Sequence, residues 1–158
     1  MIQEKTNVMR LLEQKKIFYE SFAYEADSTK TGEEIAAILN EDPDKVFKTL
    51  VTQAKSGGYY VFVIPVNAEL DLKKAAKAAG EKAVSMLKQK ELLPLTGYVH
   101  GGCSPIGMKK FYKTMFHESM KEYDTIYFSA GKVGYQVKVA VSDIEKIIRY
   151  TTGDIITG

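Results

Sequence analysis

The sequence contains a single cysteine, Cys103, among 158 residues. One thiol cannot close an internal disulfide, so nothing in the chain calls for an oxidising compartment. The opening stretch, Met1-Ile2-Gln3-Glu4-Lys5-Thr6-Asn7, is polar and lacks the apolar segment of a signal peptide. No apolar run approaches the roughly 20 residues needed to cross a bilayer. The longest, Tyr59 to Val66, contains Pro65 and suits a strand. A cytoplasmic protein without a membrane partner is the expectation. An excess of one charge is also missing: 22 basic residues meet 20 acidic ones, for a net charge of +2. That balance does not by itself mark a nucleic-acid binder, and no DNA partner is expected. The two histidines, His100 and His117, lack metal-ligand spacing, so no metal is expected. The phosphate-cradling Walker loop, the Gly-x-Gly-x-x-Gly fingerprint and the Gly-x-Ser-x-Gly elbow are all absent, and no cofactor is expected.

What is present is an ordinary globular mixture, 45 % hydrophobic and 27 % charged. The length suits one domain spanning 1–158 with a core that needs no staples. Val8, Leu11 and Leu12 follow Thr6-Asn7 at helical spacing, predicting a helix over 6–15. Ile17 to Tyr24 alternates as a strand does. Thr31-Gly32-Glu33-Glu34 has the capping-box pattern ahead of Ile35, Ile38 and Leu39, with Asn40 at the end. Asp42-Pro43-Asp44 reads as a short helical turn. Val46–Gln53 and Tyr59–Val66 form a hairpin across Lys55-Ser56-Gly57-Gly58. A helix over 70–79 ends at Gly80. A short strand over 82–86, a short helix over 87–93 and a strand over 98–101 follow. Thr125–Ser129 and Tyr135–Val141 read as a second hairpin, and Ser142 as the cap of a last helix carrying Ile144, Ile147 and Ile148. Hairpins mixed with helices predict an α+β fold, not a doubly wound parallel sheet.

Two features stand out chemically. In Val46-Phe47-Lys48-Thr49-Leu50, alternation puts Lys48 on the same face as Val46 and Leu50. Such a lysine either snorkels at an edge or lines a cleft, where it would be a fixed positive charge for a phosphate or an oxyanion. The loop Gly101-Gly102-Cys103-Ser104-Pro105 is either a tight turn or a place where successive N–H groups form an anion nest or oxyanion hole. Cys103 beside His100 raises the possibility of a thiol nucleophile, but residues three apart on an extended strand face opposite ways. A packed, unreactive cysteine is the commoner outcome. Lys73, Lys74 and Lys77, with Lys109, Lys110 and Lys113, form basic clusters. They read as solvated helix faces or as a modest phosphate patch.

Phe47-Lys48-Thr49-Leu50, Glu69-Leu70-Asp71-Leu72-Lys73-Lys74, Thr96-Gly97-Tyr98 leading into Gly101-Gly102-Cys103-Ser104-Pro105-Ile106-Gly107, Asp124-Thr125-Ile126-Tyr127, and Ser129-Ala130-Gly131-Lys132 occur in this order. Together they resemble the YbaK/EbsC family over nearly the whole chain. The resemblance implies a mixed, partly closed, barrel-like sheet wrapped by helices, and kinship with the editing domain of prolyl-tRNA synthetases. It implies an aminoacyl-tRNA deacylase that clears Cys-tRNA(Pro), in which the substrate's own thiol attacks the ester and the protein supplies positioning. The implied partner is the acceptor end of an aminoacylated tRNA, with prolyl-tRNA synthetase as a further one. Lys48, Gly101 and Gly102 are the implied catalytic set. Tyr24, Thr49, Ser104, Ser129 and Gln136 are the implied substrate-binding residues, although Ser104 serves equally well as a turn stabiliser before Pro105. Gln136 stands where some cysteine editors carry an aspartate, and a neutral amide loses the charge-assisted part of an ammonium contact. That leaves two alternatives: a deacylase for another charge such as Ala-tRNA(Pro), or a non-catalytic module that binds the tRNA end. The presence of Lys48 and Gly101-Gly102 favours catalysis.

Overall fold

The computed structural model describes residues 5–158. Helix α1 (Asn7–Gln14) starts where the sequence places it: Thr6 caps it by accepting the Met9 N–H, and Val8, Met9 and Leu12 turn inward. Strand β1 (Tyr19–Ala23) follows. Helix α2 (Gly32–Ile38) opens on the Thr31/Glu34 capping box, with reciprocal bonds of 2.9 and 3.1 Å. It runs out at Asn40, whose φ of 55° ends the helical path. A 3-10 turn, Pro43–Lys45, leads into the hairpin of β2 (Phe47–Ala54) and β3 (Tyr59–Pro65). Helix α3 (Leu72–Ala79) is capped by Asp71 and stops at the left-handed Gly80. Strand β4 (Val84–Met86) and helix α4 (Gln89–Thr96) come next, then β5 (Lys113–His117). Strands β6 (Thr125–Ser129) and β7 (Tyr135–Ala140) make the second hairpin. One turn of helix, α5 (Val141–Ile144), and the three-residue β8 (Thr151–Gly153) complete the order.

The fold is α+β, but its strands make two sheets instead of one partly closed sheet. One has the order β1-β7-β6 and is antiparallel; the other has the order β4-β2-β3-β5-β8. In the second sheet β2 runs antiparallel to β3 and β4, while β3–β5 and β5–β8 are parallel, so it is mixed. Among the described residues the sheets join through one parallel bridge, Val46 to Tyr127. A barrel needs a ladder that continues around the circumference, and one bridge does not supply it.

Burial follows the strand period of two. Val61 and Val63 face the main core with Phe47, Val51, Phe116, Phe128, Val137 and the α1 residues Val8 and Leu12. Phe62 and Ile64, the alternate residues of β3, pack on the opposite side with Ala75, Ala76 of α3 and Ile155. The larger sheet is therefore covered on both faces, which explains why Tyr59–Val66 reads as a continuous apolar run.

Two expected elements differ. Residues 98–101 do not form a strand. The Tyr98 N–H is taken by Thr96 Oγ1 at 3.0 Å, and the Gly102 N–H donates to the Val99 carbonyl at 2.9 Å, so the groups a ladder would use are engaged locally. Ser142 does not cap a long last helix: the turn begins one residue earlier, after Ala140, and no side chain caps it. Only Ile144 of the three isoleucines is fully buried. Strands β5 and β8 had no sequence-based expectation. In β5 the inward Thr114 and Phe116 are separated by Met115 and flanked by Lys113 and His117, which masks the pattern.

Candidate functional site

Strand β4 pairs only with Thr52, Gln53 and Ala54 of β2. The other end of β2, on that edge, has no strand partner beyond the Val46 bridge among the described residues. A cavity of about 370 Å³ forms there. Its walls are β2 from Val46 to Leu50, the ends of β6 and β7 with Ser129 and Gln136, Tyr24 after β1, the approach to α2 from Thr29 to Gly32, and the His100–Gly101 turn with Cys103. That volume lies within the roughly 300–1,000 Å³ common for small-molecule sites. Larger hollows flank Phe111 and Arg149, or run from Lys121 to Thr152, but they do not gather buried unpaired polar groups.

Lys48 is the cation of the site. Burial lowers its pKa, while Glu33 and Glu69 at longer range pull it back towards the charged form. It has no hydrogen bond or ion pair within contact distance among the described residues. A half-desolvated ammonium without a partner interacts strongly with any anion that enters, because little water screens it.

The opposite wall carries acceptors. Gln136 is only 4 % exposed, and its Oε1 has no hydrogen-bond partner. Thr49 Oγ1, on β2 beside Lys48, is likewise buried and unpaired. Buried polar atoms are nearly always paired, so unpaired ones clustered at a cavity point to groups that a ligand completes. Ser129 Oγ is already engaged, accepting the Gly131 N–H at 3.1 Å. Burial pushes the Tyr24 hydroxyl pKa up, the Gly134 backbone amide lowers it, and Glu41 raises it.

The Cys103 thiol lines the cavity, yet burial pushes its pKa up to about 12. A nucleophilic cysteine requires the reverse shift. His117 is placed elsewhere, bonded through Nδ1 to Ser119 and lying 3.6 Å from Asp154.

Of the residues singled out from the sequence, the fold brings Tyr24, Lys48, Thr49, Gly101, Ser129 and Gln136 to one cavity. Gly102 and Ser104 do not line it. Gly102 is buried, and its N–H is spent on Val99, so it cannot be the second donor of an oxyanion hole. A Cβ there would lie 2.9 Å from the Val133 nitrogen: the residue is small because the loop presses on the β6–β7 turn. Ser104 is fully buried, and its Oγ accepts the Ile106 N–H at 3.4 Å, which is the turn-stabilising role.

The profile of a family described as the aminoacyl-tRNA editing domain matches residues 26–147. The chain belongs to that family. It is 45 % identical over 152 residues, 96 % of its length and 91 % of the relative's, to EbsC of Enterococcus faecalis, a protein named provisionally as a Cys-tRNA(Pro)/Cys-tRNA(Cys) deacylase. Among solved structures it resembles one titled provisionally as a trans-editing enzyme for prolyl tRNA synthetase, with a TM-score of 0.83, 20 % identity and complete coverage of both chains. A protein titled only as hypothetical matches with a TM-score of 0.86 and 21 % identity, over 98 % of this chain and 100 % of that one. At such identities the structural matches carry the fold.

The sequence reading missed two parts of the site. One is the Thr29–Gly32 wall, where Gly32 sits tightly against Val66. The other is Glu41, which stands behind Gln136 outside the lining itself and whose carboxylate oxygens are both buried without hydrogen-bond partners. Burial raises its pKa to about 7, and the neighbouring Gln136 amide and Lys138 lower it.

Proposed function

We propose that this chain is a trans-acting aminoacyl-tRNA deacylase that clears cysteine mischarged onto proline tRNA, working in the cytoplasm. The observation that carries this reading is the pairing of an unneutralised, half-buried Lys48 with unpaired acceptors across a cavity that contains no activated nucleophile. An aminoacyl ester presents a carbonyl, a ribose and an α-ammonium group, a set that such a cavity complements.

The substrate's thiol sulfur attacks the ester carbonyl carbon. The carbonyl–ribose oxygen bond breaks, the thiol proton passes to the departing ribose oxygen, and the products are a thiolactone and deacylated tRNA. Lys48 stabilises the negative charge that develops on the carbonyl oxygen, and the exposed Gly101 backbone borders the aminoacyl end. Thr49 and Gln136 accept hydrogen bonds from the amino group or the ribose, and Tyr24 and Ser129 bound the same space. The protein contributes orientation and a fixed charge, which are the effects a substrate-supplied nucleophile needs. The EbsC name extends to Cys-tRNA(Cys), so the cysteinyl group is the feature held in common. A prolyl-tRNA synthetase partner would supply recognition of the tRNA body that the near-neutral chain offers only weakly.

The test incubates the protein with cysteinyl-, alanyl- and prolyl-tRNA of the proline acceptor. Cysteinyl-tRNA is expected to be cleared, and Lys48→Ala to slow single-turnover cleavage by about 100-fold or more, the scale for losing one oxyanion-stabilising group. Clearance of alanyl- but not cysteinyl-tRNA would overturn the substrate-thiol route. No clearance of any of the three would overturn the deacylase reading.

A further inference from the structure

Behind the Gln136 wall lies an acidic group, Glu41, that makes no contact with the reacting ester in the proposed chemistry. Glu41 follows Asn40 at the end of α2, and its own N–H donates to the Ala36 carbonyl at 2.8 Å, which fixes the backbone there. Its carboxylate is turned inward, with both oxygens buried and unpaired. The Gln136 amide is the polar group next to it and makes its carboxyl more acidic, although neither carboxylate oxygen has a hydrogen-bond partner of good geometry. Tyr24 and Lys138 also face it. Lys138 is committed outward, 3.6 Å from Glu20 and over the Tyr127 ring, and it does not neutralise Glu41 within contact distance. A buried carboxylate left in this state is costly, and a chain has little reason to keep one unless an arriving group repays the burial.

We infer that Glu41 is a positioning residue whose carboxylate orients and polarises the Gln136 amide, so that Gln136 Oε1 accepts from the α-ammonium group of the aminoacyl substrate. The inference rests on the deacylase reading for the identity of that substrate. An amide has a donor end and an acceptor end. With the NH2 end towards Glu41, the oxygen is directed away from that carboxylate; Gln136 lines the cavity, and its buried Oε1 lacks a partner. The α-ammonium is the only cationic group of the cysteinyl ester. Lys48 repels it from the β2 wall, so it settles on the β7 wall. A neutral glutamine alone is a modest acceptor there. A carboxylate behind it strengthens the oxygen through the amide and adds attraction across a poorly screened interior. Glu41 thus supplies at one remove the negative charge that Gln136 cannot carry.

Two non-cleavable probes test this: 3′-(L-cysteinylamino)-3′-deoxyadenosine, and the same amide lacking its amino group. Each is titrated calorimetrically into the full-length protein at about pH 7.5, where the Glu41 carboxyl is mostly ionised and the α-amino group still largely protonated. The wild type is expected to bind the amino compound about tenfold or more tighter than its partner, in line with a charge-assisted hydrogen bond. Glu41→Gln should bring the two affinities within about twofold by weakening the amino compound, and Glu41→Asp should restore part of the preference. The inference is overturned if the wild type shows no preference or binds neither probe, if Glu41→Gln keeps the preference, or if it weakens both probes alike. Because the probes cannot be cleaved, the outcome is separate from tRNA clearance. A protein that clears no tRNA but shows a Glu41-dependent preference loses the deacylase reading and keeps this one.

Discussion

The glycine loop and the Gln136 wall border the same cavity but treat polar groups in opposite ways. In the loop nearly everything is paired internally: Gly102 N–H to Val99, Ser104 Oγ to Ile106, and the Tyr98 hydroxyl to the Ile106 carbonyl. Facing it, Thr49 Oγ1 on β2, Gln136 Oε1 on β7 and, behind Gln136, both Glu41 oxygens are buried without partners. Unpaired buried groups cost free energy, whereas paired ones contribute modestly to stability. The loop is thus built for shape, and the wall is built to be completed by something else. Changes in the loop should be felt mainly as lost stability, and changes in the wall as altered binding, with stability unchanged or improved.

The largest stability effect separating the two regions is expected at Gly102. An added methyl would lie 2.9 Å from the Val133 nitrogen and 3.3 Å or less from the Lys132 carbonyl carbon and Cα, which are backbone atoms that cannot swing aside. Gly102→Ala should therefore destabilise by about 1–3 kcal/mol, the usual range for overpacking. A urea titration measures this. A Gly102→Ala midpoint equal to wild type would show that the loop is not held against the β6–β7 turn.

The wall predicts the opposite sign. In the folded protein the Glu41 carboxyl holds its proton up to about 7, against an ordinary value of 4.5. Stability from this group is fully present below the unfolded value and is lost as pH rises through the folded one. Above that window the folded state carries a poorly solvated carboxylate. Glu41→Gln removes the titration, so its urea midpoint should fall less than that of wild type between about pH 5 and about pH 8. Other shifted carboxylates, such as Glu13, Asp27 and Asp154, act alike in both proteins and cancel in the difference. Parallel pH profiles for the two proteins would show that Glu41 is not the buried acid of this wall. A site that sacrifices stability for binding is a familiar trade.

The contrast also explains what the sequence could reveal. Lys48 was legible because a lysine in an alternating apolar strand breaks a local pattern, and local patterns need no fold to be read. Both hairpins and the Thr31 capping box were legible for the same reason. Gly102 was misread because its constraint comes from Val133, which is remote in sequence, and a glycine pair looks the same whether it shapes a loop or binds an anion. Glu41 was invisible: an acid following Asn40 at a helix end looks like a solvated terminus until the fold brings β7 and Gln136 against it. Strand β8 escaped because Thr151-Thr152-Gly153 has no apolar alternation, and its place is set by pairing with β5. The closed sheet failed as an expectation because closure depends on which edges meet, a property of the assembled sheets that strand propensities do not encode.

The smallest expected effect belongs to Cys103, which lies where loop and cavity meet and so tests on which side of the contrast it falls. Its thiol is mostly buried against the main core and is held protonated by that burial. If it belongs with the loop, it acts as a small apolar filler, and Cys103→Ser places a hydroxyl in the same volume. The cost should be about 1 kcal/mol or less where the new hydroxyl finds a partner, and up to about 3 kcal/mol where it does not. Cysteinyl-tRNA clearance should stay within a few-fold of wild type, because in the proposed route the attacking thiol comes from the substrate. Iodoacetamide should label Cys103 far more slowly than a free thiol at neutral pH, since only the thiolate reacts. Complete loss of clearance in a Cys103→Ser protein that melts normally would move the nucleophile back to the enzyme, and rapid alkylation would do so independently of any activity assay.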